Sequence, residues 1–320
     1  MPDYSIFGGC LRSEIAFPEL REMPAAQATW TLRARATAEE RVDARLLGEL
    51  EISPECRVRL FKHETGYSFE YDDTGVYDIS DDGRHITWRA GPKPDPSAVR
   101  ADVTGRVLAM ALHAAGLLCL HGSAVSLGDG TVAFIAPKFH GKSTLALALA
   151  RAGGRLVTDD VFPVEPGPPA RAIPGVHHVK LWNDSAELFE VEQRNARPGD
   201  KHLLHELPDE WLMFQPDSLS AIYLLSPATA ESPMAEGARR VPMPAVPSAL
   251  SLVRHAALGP LLGEPEASRV FERAVTIAGS VPIYRLETAV GLDRLGEVVE
   301  QILEWHGAPG AARMAAGGGM

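Results

Sequence analysis

Cysteine is scarce: Cys10, Cys56 and Cys119 are the only three in 320 residues. They are odd in number and far apart, and no CxxC pair occurs. That argues against a disulfide framework or a thiolate zinc site and fits a reducing cytoplasm. Positive charge is also in short supply. There are 31 Lys and Arg against 42 Asp and Glu, a formal net charge of −11. Nucleic acid demands a basic surface, so it is not expected as a partner, whereas a local basic pocket for a nucleotide remains open. No apolar run approaches the roughly 20 residues that span a bilayer, so no membrane association is expected. The opening MPDYSIFGGCLRSE has no basic region followed by an apolar stretch, so it does not read as a signal peptide. Internal repeats are absent. What remains is ordinary globular composition, 45% hydrophobic and 23% charged, in a chain long enough for one large core or two domains.

Residues 1–95 read as a β-rich N-terminal domain. Thr29 to Ala36 and Arg57 to Phe61 alternate with the period of two of a half-buried strand. Tyr67 to Tyr71, Gly75 to Ile79 and His85 to Trp88 follow, separated by Asp72-Asp73-Thr74 and Asp81-Asp82-Gly83, which are hairpin breaks. The expectation is an antiparallel meander. Asp72, Asp73, Asp78, Asp81 and Asp82 suit turns better than a metal site, because no EF-hand spacing is present. Gly91 to Pro96 is a linker by composition.

Residues 96–307 read as a second domain. It opens with a helix over 98–115, followed by a buried strand at Leu117 to His121. Cys119 in that strand is expected in the core. Further on, strands are expected at 155–160, 175–182, 219–225 and 281–286. Helices are expected at 185–189, 249–262, 265–278 and 292–305. The polar stretch 194–205 reads as a mobile loop, and the Gly/Ala-rich tail 308–320 as disordered.

One run carries chemistry. Val132 to Ile135 is a short apolar, β-prone stretch, and Leu145 to Ala152 is an Ala/Leu-rich helix. Between them lie Ala136, Pro137, Lys138, Phe139, His140, Gly141, Lys142, Ser143 and Thr144. Ala136 to Ser143 fits the spacing of a phosphate-binding P-loop, with Ala136 at the first glycine position. Polyphosphate needs converging donors, and the backbone N–H groups of a helix N-terminus supply them. Gly141 lets the backbone approach. Lys142 reaches the β- and γ-phosphates, and the Ser143 hydroxyl suits Mg²⁺. Lys138 and His140 either add positive or polar character to the loop or are simply solvated. ATP and Mg²⁺ are the expected ligands.

Arg155 to Asp160 reads as a strand ending in two acids, Asp159 and Asp160. In a parallel sheet such acids share an edge with the P-loop, and adjacent strand residues point to opposite faces, dividing their labour. Lys180 either meets phosphate or is an exposed strand cation. His177 and His178 are adjacent and do not converge on one metal from a strand. Trp182 reads as packing.

His121-Gly122, the P-loop and the run RAGGRLVTDD at 151–160 together resemble the catalytic core of HPr serine kinase/phosphorylase. They resemble still more the HPr-kinase-like enzymes of peptide-modification pathways, including lasso-peptide tailoring kinases. The resemblance covers about residues 117–182. It implies an α/β fold: a P-loop kinase core with a central mixed sheet flanked by helices, beside the smaller β-rich N-terminal domain. It also implies transfer of the γ-phosphoryl group of ATP to a serine-type hydroxyl of a peptide, protein or small-molecule acceptor. By that resemblance Asp159 is the base, Asp160 assists Ser143 with the metal, Lys142 binds phosphate, and His121 tunes charge beside them. Assembly into a homo-oligomer is compatible with it. Two positions depart from the family pattern: Phe139 stands at a usual glycine and Thr144 at a usual acid. The family's second signature, which contacts HPr, has no match, so HPr and the reverse reaction are not implied. A module that senses ATP without transferring phosphate, and a simple ATP hydrolase, are the alternatives.

Overall fold

The computed structural model describes residues 1–36, 43–191, 201–228, 234 and 236–308. The expected tail lies outside the described residues except for Ala308, as does the expected mobile stretch up to residue 200. The chain is a mixed α/β protein with two large mixed sheets. It divides into two compact units, Met1–Cys119 with Ala256–Ala274, and Leu120–His255 with Val275–Met320.

The first unit holds eight strands: β1 Asp3–Ile6, β2 Gly9–Ser13, β3 Trp30–Ala34, β4 Arg45–Ser53, β5 Cys56–His63, β6 Gly66–Tyr71, β7 Gly75–Ser80 and β8 His85–Ala90. Their order is β1-β2-β3-β8-β7-β6-β5-β4. The meander from β4 to β8 is antiparallel as expected. The remaining three strands join it through parallel pairs, β2 with β3 and β3 with β8, so the sheet is mixed. Alternation explains the buried face: Val58 and Leu60 on β5 and Tyr77 and Ile79 on β7 are covered. The acids of the hairpins serve turns and ion pairs. Asp72 pairs with Arg59, Asp81 with Lys62, and Asp78 accepts from Ser68. Among the described residues no group of three His, Cys, Asp or Glu could hold a metal ion.

The segment after the Pro/Gly linker packs in this first unit. It forms α1 Pro96–Asp102, a π-helical stretch Val103–Val107, and α2 Leu108–Ala114. Asp95 caps α1, accepting from Ser97 N and Ala98 N. The reason for the placement is burial. Val99, Val103 and Val107 are covered, and the Asp102 carboxylate accepts from Thr74 Oγ1 at 2.7 Å. The stretch 256–274 joins the same unit through Glu266, whose carboxylate accepts from Tyr67 Oη and bonds His113 Nε2, each at 2.9 Å.

The second unit contains β9 Leu118–Leu127, β10 Gly130–Ile135, α3 Lys142–Arg151, β11 Arg155–Thr158, β12 Val161–Glu165 and β13 Arg171–Ala172. Next come β14 Val179–Leu181, α4 Asn183–Leu188, β15 His202–Leu204, β16 Asp217–Pro227, β17 Ala238–Pro242 and α5 Ala245–Arg254. α6 Glu266–Ser280 begins in the first unit and passes into the second after Ala274, and β18 Ile283–Thr288 and α7 Leu295–Trp305 complete the second. Part of the expected mobile loop is therefore a strand, since β15 pairs with β14. No helix of the described residues is long and apolar enough to cross a membrane.

Direction matters more than count here. β10 runs parallel to β16, and β16 parallel to β18. On its other side β10 is antiparallel to β9, and β9 is antiparallel to β11. Hence β10 and β11 run the same way with β9 between them, and their C-terminal ends share one edge. The helices α3 and α7 bury Leu147, Leu149, Val299 and Ile302 in a core with Phe134 and Tyr223 of the sheet. Burying each such side chain contributes about 1.5–3 kcal/mol to stability.

Candidate active site

The loop from Ala136 to Gly141 grows out of β10 at that edge. Val132 to Ile135 are wholly buried, as a strand covered on both faces requires. Gly141 then takes φ 79° and ends the turn, and Lys142 begins α3. No side chain caps this helix. Its first N–H groups are therefore donors without an intrahelical acceptor. Phe139, at the position of the usual glycine, has φ 69°. It adopts the left-handed backbone that glycine would take there without strain.

Lys142 Nζ donates to the carbonyls of Ala136 and Pro137 at 2.9 and 3.0 Å. Burial lowers its pKa, and the charge of Asp159 opposes that. Ser143 Oγ donates to Asp159 Oδ1 at 2.9 Å. Thr144 turns inward and pairs with Ser185 Oγ at 2.8 Å.

The two acids sit just beyond β11, which ends at Thr158. They occupy a bend, and Asp160 has φ 76°. Their different surroundings come from this bend and not from strand alternation, as the sequence suggested. Asp159 is 3% exposed. It accepts from Ser123 Oγ at 2.6 Å, from Ser143 Oγ, and from Lys180 N at 3.1 Å. Burial raises its pKa, aided by the charge of Asp160, while these hydrogen bonds oppose the rise. Asp160 has a half-exposed side chain and pairs with Lys180 Nζ at 2.8 Å. Burial works against its charge, but Lys180, His121 and Lys201 together pull its pKa far below the usual carboxylate range.

Lys180 thus touches both acids, one through its backbone and one through its side chain. The sequence left its role open; β14 brings it to the site. His121 lies on β9, beside the end of β10, because Gly122 pairs with Ile135. Its Nδ1 is 3.2 Å from the Asp160 carbonyl and 3.7 Å from the Asp160 carboxylate.

One cavity of about 390 Å³ is lined by Ala136 to Thr144, His121, Asp159, Asp160 and Lys180. Every sequence-predicted site residue is in this lining. Trp182, read as packing, lines it too. Four further groups were missed. Lys201, Arg254 and His255 face the same cavity, and Ser123 holds Asp159 from behind. Ser123 follows the His121-Gly122 pair directly, which is the only signal that points to it. Lys201 sits in a polar stretch, and Arg254-His255 end an ordinary amphipathic helix, so neither carried a sequence signal.

Chemically, the cavity offers cations and backbone donors to an anion, a hydroxyl and two carboxylates to a hard cation, and a carboxylate of raised proton affinity. No protein-family model matches the chain. No curated protein matches it either. Among solved structures it is similar to the HPr(Ser) kinase/phosphatase from Coxiella burnetii, at 12% identity and a TM-score of 0.32, over 59% of this chain and 89% of that one. This is a distant structural match.

Proposed function

We propose that this chain is a Mg²⁺-ATP-dependent phosphotransferase that moves the γ-phosphoryl group to a hydroxyl of a peptide, protein or small molecule. The observation that carries this reading is that Lys142, Ser143, Asp159 and Asp160 line one cavity. A bare anion site needs no carboxylates, and two acids beside a phosphate loop are costly unless they have work to do.

Ser143 Oγ and the Asp160 carboxylate are hard oxygen donors of the kind Mg²⁺ takes alongside phosphate and water, so the residues fit the ion. When bound, Mg²⁺ neutralises charge on the transferring phosphate. The chain's own groups do the rest. The α3 N-terminus and Lys142 bind and orient the β- and γ-phosphates. The acceptor oxygen attacks the γ-phosphorus, its proton passes to Asp159, and the bond to the β-phosphate oxygen breaks to release ADP. The opposed pKa shifts favour this division. Asp159 is the better proton acceptor, and Asp160 stays anionic beside the cation. Ser143 would hold Mg²⁺ through its hydroxyl oxygen, and its hydroxyl proton is already directed to Asp159. His121 and Lys180 hold Asp160 in place and balance its charge.

Incubation with Mg²⁺-ATP and pooled hydroxyl-bearing peptides and metabolites tests this reading by mass spectrometry. The expected product carries one added phosphate. ATP turnover that no acceptor changes would instead indicate a hydrolase, and binding without turnover an ATP sensor.

A further inference from the structure

A second cavity, of about 370 Å³, adjoins the phosphate loop. It shares Phe139, His140, Gly141, Thr144 and Trp182 with the first cavity. Its other walls are mainly apolar: Leu225 and Pro227 of β16, Ala289 and Val290 after β18, and Leu292 and Leu295 leading into α7. Sheet order separates the two cavities. The acids follow β11 on the β9 side of β10. The apolar walls rise from the ends of β16 and β18, on the opposite side of β10.

Two large apolar side chains of this wall are exposed. Phe139 is 74% exposed and Val290 61%. The Phe139 ring stacks on Trp182, with centroids 4.7 Å apart and planes 21° from parallel. An exposed phenyl ring on a left-handed residue is unfavourable twice over, and such strain persists where function requires it. A flat ligand with a π-face would cover the pair. Among the described residues of the lining the Asp184 carboxylate is the only charged acceptor, and it suits an exocyclic amino group.

We propose that this cavity holds the heterocyclic base of the nucleotide whose phosphates the loop binds. The inference rests on the phosphotransferase reading and adds the place and chemistry of base recognition. The nucleotide then lies across the loop, with its base over β16 and β18 and its γ-phosphate toward the acids. The acceptor approaches from the side of Asp160, Lys180 and His121.

Calorimetric titration of the full chain with MgATP and with magnesium tripolyphosphate tests it. The wild type is expected to bind MgATP about tenfold or more tightly than tripolyphosphate. The double variant Val290→Asn, Leu292→Asn should lose about tenfold in MgATP affinity and keep its tripolyphosphate affinity, and Phe139→Gly should show the same loss for MgATP. The retained tripolyphosphate affinity reports that the double variant is folded. Equal affinity of the wild type for the two ligands, or unchanged MgATP affinity in both variants, overturns the base site and leaves the phosphate loop standing. Binding of neither ligand by the wild type overturns both.

Discussion

Ser143 and Asp159 are 16 positions apart in sequence, yet the hydroxyl of one donates to the carboxylate of the other at 2.9 Å. The contact ties the first turn of α3 to the bend after β11. It is possible because β10 and β11 point the same way on either side of β9.

On the proposed role of Asp159 as proton acceptor, removing its carboxylate should separate binding from chemistry. Asp159→Asn is expected to bind MgATP nearly as well as wild type and to lose about 10²–10⁴-fold in transfer rate. Calorimetric titration and phosphate incorporation measure the two quantities. Asp160→Asn should instead raise the Mg²⁺ concentration needed for half-maximal transfer. If Asp159→Asn keeps its rate while Asp160→Asn does not, the two acids exchange roles.

On the proposed function, Lys142 should contribute to nucleotide binding more than to stability. Among the described residues its Nζ donates only to carbonyls of its own loop, at Ala136 and Pro137. Lys142→Met should weaken MgATP binding about 10- to 100-fold, the value of one charge-assisted contact. Its thermal midpoint should stay within a few degrees of wild type. A large fall in the midpoint would mean that the lysine holds the loop together.

His178 predicts a pH dependence of stability. Burial, with the charge of Lys180 acting the same way, holds its pKa at about 4 against an ordinary 6.5. Its Nδ1 is buried with no hydrogen-bond partner. Between those values the unfolded chain binds the proton and the folded chain does not. Stability should therefore be undiminished above pH 6.5 and decline as pH falls toward 4. The loss at pH 5 is about 2 kcal/mol from this residue. Urea unfolding at pH 7 and pH 5 measures it. His178→Asn should flatten the dependence, and an unchanged slope would assign it elsewhere.

Gly175 is a packing requirement behind the site. A Cβ built there would lie 1.9 Å from Thr158 Oγ1 and 2.6 Å from Thr158 Cβ. Thr158 is fully buried and directly precedes Asp159. Gly175→Ala should cost at least about 1–3 kcal/mol through overpacking, seen as a lower urea midpoint. It should also slow transfer, because relief of the clash displaces the bend. Wild-type rate and midpoint together would show that the segment yields freely.

The sequence made the second unit's candidate site legible because its signals are local. The strand, loop and helix around the candidate site occupy one run, Val132 to Ala152, and the acids follow within ten residues. His121, Lys142, Ser143, Asp159 and Asp160 line one cavity, and Lys180, whose place the sequence left open, lines it with them. What stayed hidden depends on pairing between distant strands. Nothing local says that β2 and β3 extend the first sheet in parallel. Nor does anything local say that 96–114 and 256–274 belong with that sheet, because Glu266 meets Tyr67 across 199 positions. Arg254 and His255 were illegible for the same reason. Only tertiary packing places the end of α5 at the cavity.

β9 works as a ruler for the site. It pairs Gly122 with Ile135 on one side and Ala124 with Thr158 on the other. Displacing it by one residue would turn every side chain it carries to the wrong face. Ser123 would leave Asp159, and His121 would leave Asp160, in a single event. The spacing between anion cradle and carboxylates is thus set by one shared strand. Damage to β9 around Gly122 and Ser123 should therefore disturb the loop after β10 and the carboxylates after β11 together.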